Sequence, residues 1–288
     1  MPVLNDADAI YIGGASADAV YLGNTLVWSS VDSATKAFMA ASGLSPYYTP
    51  ILDGLVKGLK KKGLWSKMKA VYPFIGGTAA LHKWNLMDPR DSDAAYRLTF
   101  TAGEHTAGSG YRPNPAGQTF NAPGRSDTHL IPAVAFTDVN STHLSLYSLA
   151  DQPPADRCDM GCYNWAGSGS RFHIIARYNG GLFYYGMSED GATNVGVTSS
   201  SGLFVSTRTA SDNQSGYRNG LLLQRTFASP TSGLPTVSVH VGGINVYPQG
   251  PSDLPFGFAS IGTGLSAQDT ADLYTVVQAY QVSLGRGT

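Results

Sequence analysis

Gln214-Ser-Gly-Tyr-Arg-Asn-Gly-Leu-Leu-Leu-Gln-Arg225 holds the strongest local signal in the chain. Asn219-Gly220 suits both central positions of a type I′ turn, where φ must be positive twice, so the stretch predicts a hairpin of 214–217 with 221–225. Arg171-Phe-His-Ile-Ile-Ala-Arg177 alternates with period two, broken at Ile175, as a half-buried strand does. The same criteria predict strands at 71–75, 95–101, 142–148, 171–178, 182–187, 202–208, 236–241 and 256–261. Clusters of Gly, Pro, Asn and Ser separate them at the spacing of a β-sandwich.

Composition agrees with a β-rich, loop-rich chain. Of 288 residues 42% are hydrophobic and only 14% charged, while Gly numbers 34. Soluble domains usually carry roughly 25% charge, most of it on helix surfaces. The net charge of −1 offers no footprint for nucleic acid, so no nucleic-acid partner is expected. The N-terminus lacks a basic region followed by an apolar one, so no signal peptide is expected and synthesis is cytoplasmic. No run of eighteen apolar residues predicts membrane insertion.

Two regions depart from the sandwich pattern. Asp8–Ser29 repeats itself after ten residues, Ile10-Tyr11-Ile12-Gly13 being echoed by Val20-Tyr21-Leu22-Gly23. It reads as short strands, with Gly23-Asn24 as a hairpin turn, and both faces are apolar enough to need cover. Residues 33–42 then read as a helix ended by Gly43. A second helix takes Thr49 as N-cap and Pro50 at its first position, with Ile51, Leu52, Leu55, Val56 and Leu59 on one face and Gly63 past its end. Lys60-Lys61-Lys62 reads as a solvated last turn favoured by the helix dipole. The chain closes on a helix over 266–285, opened by a Ser266–Asp269 capping box and striped by Leu273, Val276, Val277 and Tyr280.

The chemistry of catalysis is sparse in the sequence. Glycoside hydrolysis needs two carboxylates about 5–10 Å apart across a sugar cleft. The chain has two glutamates, Glu104 and Glu189, neither in an acid-x-acid strand, and its 18 aspartates fall mostly in turns. Ala166-Gly-Ser-Gly-Ser170 has the wrong spacing for a nucleophile elbow. Histidines 82, 105, 129, 143, 173 and 240 are scattered and read as polar strand or loop residues. Gly262-Thr-Gly-Leu-Ser-Ala267 matches a dinucleotide fingerprint, but too few residues follow for the second strand and its acid. No cofactor is expected; calcium held by loop Asp and Asn oxygens lacks any supporting spacing. Cys158-Asp-Met-Gly-Cys162 leaves open two free thiols or a disulfide within or between chains, and is a poor metal motif.

A binding surface remains. Trp165, Tyr163, Tyr111 and Arg112 fall in Gly/Pro/Asn-rich stretches with Asn114, Asp127 and Asn164. Aromatic faces stack on sugar rings, and Asn, Asp and Arg bond hydroxyls directionally. The same aromatics equally serve to anchor their own loops.

Several separated motifs resemble a module of tailed-bacteriophage virion appendages. They are Leu64-Trp-Ser-Lys-Met-Lys-Ala-Val-Tyr-Pro-Phe-Ile-Gly-Gly77, His82-Lys-Trp-Asn-Leu-Met-Asp-Pro-Arg-Asp91, Ser141-Thr-His-Leu-Ser-Leu-Tyr-Ser148, Tyr217-Arg-Asn-Gly-Leu-Leu222 and Phe258-Ala-Ser-Ile-Gly-Thr-Gly-Leu265. The resemblance implies a concanavalin A-like (laminin G-like) jelly-roll sandwich, mainly β, on a tail or collar fibre, and brings no catalytic residues with it. The expected organisation is a β attachment and oligomerisation unit at 1–30, a helical connector at 31–70 and a sandwich at 71–288 including the C-terminal helix. The expected function is a non-enzymatic structural or receptor-binding subunit. It would be a homotrimer, joined to other virion proteins through Tyr11, Tyr21, Leu22 and Trp28, and bound to host surface polysaccharide. The alternatives are a decoration protein without ligand and a polysaccharide depolymerase.

Overall fold

Strands from across the chain interleave into two antiparallel sheets that close on a shared core. The computed structural model describes residues 10–12, 15–17, 19–22, 25–115, 124–165, 169–189, 193–227, 229–245 and 250–286. Strands β1 (Ile10–Ile12) and β2 (Ala15–Ala17) form one hairpin, and β3 (Ala19–Leu22) and β4 (Thr25–Ser29) another. The side chains of Tyr11, Tyr21, Leu22 and Trp28, the expected interface, lie outside the described residues. Helices α1 (Ser33–Ser42) and α2 (Thr49–Lys61) follow, then β5 (Met68–Tyr72) and the short α3 (Ala79–His82).

The sandwich continues with β6 (Thr99–Phe100), β7 (Glu104–Thr106), β8 (Gly110–Arg112), β9 (Ser126–Asp127), the short α4 (Pro132–Ala135) and β10 (Thr142–Ser148). Next come β11 (Arg157–Cys158), β12 (Met160–Tyr163), β13 (Arg171–Tyr178), β14 (Leu182–Glu189) and β15 (Thr193–Gly196). The last strands are β16 (Gly202–Ala210), β17 (Asn213–Arg218), β18 (Leu221–Thr226), β19 (His240–Val241), β20 (Gly250–Pro251) and β21 (Phe256–Gly262), before α5 (Ala267–Ser283). One sheet runs β18-β17-β16-β10-β21-β8-β7, with β5 sharing the far edge of β21. The other runs β15-β14-β13-β12-β19-β9-β6. The chain is therefore mainly β and antiparallel, as its sequence predicts.

The two faces of the first sheet bury different things. Leu144, Leu146 and Phe204 point into the space between the sheets, where they meet Phe172, Ile174, Phe183 and Met187 of the second. Their neighbours Tyr147, Leu203, Val205 and Phe258 point the other way, onto Leu52, Leu55 and Val56 of α2 and Leu273 and Val277 of α5. Helices thus cover the outer face of one sheet. The second sheet carries only a small apolar group outside, Cys158, Ile175 and Ile244, beside three half-buried tyrosines.

Local signals hold where they are strongest. The hairpin at Asn219-Gly220 forms with both residues at positive φ. Helix α5 starts on the Ser266–Asp269 capping box and is followed by Gly285 at φ 71°. Helix α1 occupies the expected residues and ends on left-handed Gly43. Four expectations are corrected. The strand expected at 236–241 keeps only His240–Val241. The strand expected at 71–75 lies at 68–72, because Pro73 and left-handed Phe74 turn the chain away. The strand at 95–101 shrinks to two residues, since Asp93–Ala95 form a 3-10 turn and Tyr96 sits at φ 60°. Thr49 is not the N-cap of α2: the chain already turns over Pro46–Tyr48, where Ser45 accepts from the Tyr47 N–H.

Candidate functional site

The residues expected to bind carbohydrate fall into two groups. Tyr163 ends β12 directly opposite Arg171, the first residue of β13. The Arg171 guanidinium lies over the Tyr163 ring, 4.4 Å from its centroid. Trp165 stands two residues on, its ring edge-on to Tyr163 at 5.5 Å, and is 69% exposed. The result is a stack of guanidinium, phenol and indole with the indole outermost.

The base of this stack is fastened. The Asn245 side chain brackets the Tyr163 backbone, accepting from its N–H at 2.7 Å and donating to its carbonyl at 3.1 Å. Asn164 exchanges hydrogen bonds with the Thr236 hydroxyl at 3.0 and 3.1 Å, and its N–H donates to the Ser170 carbonyl. Ser170 in turn donates to the Gly233 carbonyl. An aromatic held this firmly loses little side-chain freedom on meeting a ligand, which favours affinity. Asn164 is therefore engaged with the protein, whereas the Trp165 ring meets solvent.

The remaining residues lie elsewhere. Tyr111 belongs to β8, fully buried between Phe74, Phe100 and His105, so its ring meets the core and not a sugar. Arg112 donates from Nε to the Asp253 carbonyl, and Asn114 is buried with its N–H on the Ser252 carbonyl. Asp127 lies in the second sheet, in a cross-strand row that runs Thr99, Asp127, His240, Gly161, His173 and Gly186. It accepts from the His129 N–H at 2.8 Å. Sequence reasoning missed Arg171, Thr236 and Asn245, which reach the platform only through strand register and a distant loop.

The acid and thiol chemistry is buried. Glu104 is on the terminal strand β7 of one sheet and Glu189 on β14, which stacks over the opposite end of that sheet. The two glutamates cannot share a cleft. Burial pushes the Glu189 carboxyl up; Arg208, 3.2 Å away, draws it back. Asp159 is fully buried, held by the Ser252 hydroxyl at 2.5 Å and the Ala176 N–H at 2.6 Å, with Arg157 at 3.5 Å. Cys158 and Cys162 are both free and buried. Cys162 packs in the core between the sheets and Cys158 in the small outer cluster, so the disulfide left open by the sequence does not form. Among the described residues no three His, Cys, Asp or Glu side chains converge to hold a metal ion, and no helix is long and apolar enough to cross a membrane.

No family model and no curated protein matches the chain. Its fold does recur among solved structures. A Trypanosoma rangeli sialidase mutant displaying trans-sialidase activity superposes with a TM-score of 0.51 at 11% identity, over 84% of this chain and 40% of that one. The same organism's sialidase in complex with 2,3-difluorosialic acid gives 0.49 at 9% identity, over 78% and 38%. Domain 4 of AbnA, an extracellular GH43 arabinanase from Geobacillus stearothermophilus in complex with arabinotriose, gives 0.41 at 11%, over 72% and 98%. The chain spans about 40% of the length of the sialidase it follows best among these.

That likeness is one of fold, and it corrects the functional expectation. The sequence led to a non-enzymatic subunit of a phage appendage, reasoning from its motifs and from the lack of paired carboxylates. The structure it superposes on is part of a glycosidase chain, so the sandwich supplies no ground for a non-enzymatic fibre role.

Proposed function

We propose that the chain is a glycan-binding β-sandwich of the concanavalin A-like, jelly-roll kind, serving glycoside hydrolysis by holding polysaccharide on the Trp165–Tyr163–Arg171 stack. The observation that carries this reading is the exposed Trp165 ring braced edge-on by Tyr163. An aromatic ring of that size left in water costs solvation unless something covers it, and the apolar face of a pyranose is a matching surface. The amide of Asn164 and the hydroxyl of Thr236, beside the ring, suit a neutral or weakly polar ligand. The two-sheet architecture with helices on one outer face leaves the far face of the second sheet for such a ligand.

The test is depletion of the chain by insoluble polysaccharides, with Trp165→Ala and Trp165→Phe compared against wild type. Loss of the ring is expected to weaken binding about tenfold, roughly 1.4 kcal/mol, and phenylalanine to restore most of it. Equal retention of wild type and Trp165→Ala on every polysaccharide bound would overturn the assignment.

A further inference from the structure

A second site lies on the opposite side of the sandwich, against the helical layer. A cavity of about 320 Å³ opens between three segments that are distant in sequence. Tyr47 and Tyr48 form one wall, Ala107 and Gly108 at the tip of the β7–β8 hairpin another, and Leu284 and Gly285 beyond α5 a third. The two tyrosines meet edge to face at 5.1 Å, and Tyr47 is 74% exposed. The Tyr47 backbone N–H is held by the Ser45 hydroxyl. Here too a large ring is pinned at its base and left open at its tip.

The walls select the ligand's charge. Arg286, immediately after Gly285, is only 7% exposed; Nε and Nη2 donate to the Ala107 carbonyl at 2.8 and 2.6 Å and Nη2 to the Phe74 carbonyl at 2.9 Å. This clips the hairpin tip to the end of α5 and fixes a positive charge behind the cavity. Among the described residues no carboxylate pairs with it, and His82, which faces it, is held neutral by burial and by His105. That charge opposes a cation. The carbonyl end of α5 carries partial negative charge and opposes an anion. What both tolerate is a neutral molecule with hydroxyl donors for carbonyls and an apolar face for tyrosine. The volume, at the low end for small-molecule sites, fits a single sugar ring.

We infer that the Tyr47–Tyr48 cavity is a second carbohydrate site, taking a single neutral, hydroxyl-rich sugar ring, independent of the Trp165 platform. With both sites occupied by one polysaccharide, the chain engages it bivalently.

The experiment is an NMR titration of the full chain with glucose, galactose and arabinose, and with choline and acetate as charged probes. The resonances followed are Gly108 and Gly285, in wild type, Tyr47→Ala, Tyr47→Phe and Trp165→Ala. At least one neutral sugar should shift both glycines in wild type and in Trp165→Ala, with Tyr47→Ala weakening it at least tenfold and Tyr47→Phe about twofold. Tyr47 is exposed, so both variants should keep the wild-type melting temperature. Absence of the shifts with all three sugars, tighter binding of choline or acetate, or equal affinity of Tyr47→Ala and wild type would each overturn the site. Gly108 and Gly285 line the cavity and Trp165→Ala is titrated alongside, so failure here reads out separately from failure of the platform, which polysaccharide depletion reports.

Discussion

Two glycines in the same helix should respond to alanine with opposite signs. Gly54 and Gly58 both lie inside α2. A Cβ built on Gly54 meets nothing within 4 Å, whereas one on Gly58 falls 2.9 and 3.2 Å from the two methyls of Val276 on α5. Alanine in a helix interior is favoured over glycine by about 0.8–1 kcal/mol, so Gly54→Ala should stabilise by that amount. For a chain of this size that is about 2 °C in melting temperature. Gly58→Ala has the same intrinsic gain, but overpacking costs about 1–3 kcal/mol. Val276 is β-branched and held at one χ1 in its helix, so it yields little. The net expectation is a loss of about 1 kcal/mol. Calorimetric melting of both variants, and of Gly58→Ala in a Val276→Ala background, checks the account. There the contact is gone and Gly58→Ala should turn stabilising. Equal stabilisation by Gly54→Ala and Gly58→Ala in the wild-type background would refute the reasoning.

Other perturbations follow from the buried polar groups. Burial lowers His82 and His173 to about 3 and His143 to about 4, so the folded chain prefers them neutral. Stability should be complete above pH 6.5, then fall toward pH 4 by up to about 1.4 kcal/mol per pH unit for each such histidine. Urea midpoints that stay level from pH 7.5 to pH 5 would contradict this. Arg208→Met removes the guanidinium from Glu189 and from the Met187 and Ser211 carbonyls and should cost about 3–5 kcal/mol, while adding Glu189→Met should recover only the part due to the ion pair. Denaturant melts of the three variants decide. Burial pushes the Cys158 thiol up and Cys162 to about 12, so both should resist Ellman's reagent until denaturant is added. Labelling within seconds under native conditions would place them at the surface.

Local chemistry was readable from the chain; long-range register was not. Asn219-Gly220, Gly43 and Ser266 with Asp269 each specify a turn or cap within a few residues, and each stands where the sequence puts it. The Tyr163–Trp165 pair was also within reach, being two residues apart. Its completion was not: Arg171 arrives by strand pairing, and Asn245 from 82 residues away. Tyr111 misled because Gly- and Pro-rich neighbours look like loop, yet a three-residue strand between them suffices to bury it. Cys158-Asp-Met-Gly-Cys162 gives no sign that Asp159 is wholly inside, since nothing local reveals that Arg157 and Ser252 will meet it. The motifs behind the functional expectation are local in the same way. Tyr217-Arg-Asn-Gly-Leu-Leu222 encodes a hairpin, and a hairpin serves a sandwich whatever that sandwich does.

The start of α1 has a mechanical consequence. Lys57 of α2 donates to the Ser30 carbonyl at 2.6 Å, and Lys60 grips the Asp32 carboxylate at 2.7 and 2.9 Å. Asp53 accepts from both the Asp32 N–H and the Thr35 hydroxyl. A pull on the chain ahead of residue 30 therefore loads several bonds at once, in shear, and spreads through α2 into its packing on α5. A sheet edge pulled the same way would peel one rung at a time. Force entering from the N-terminal side is thus borne by the helical layer, and the second sheet, on the other side of the sandwich, is left unstrained.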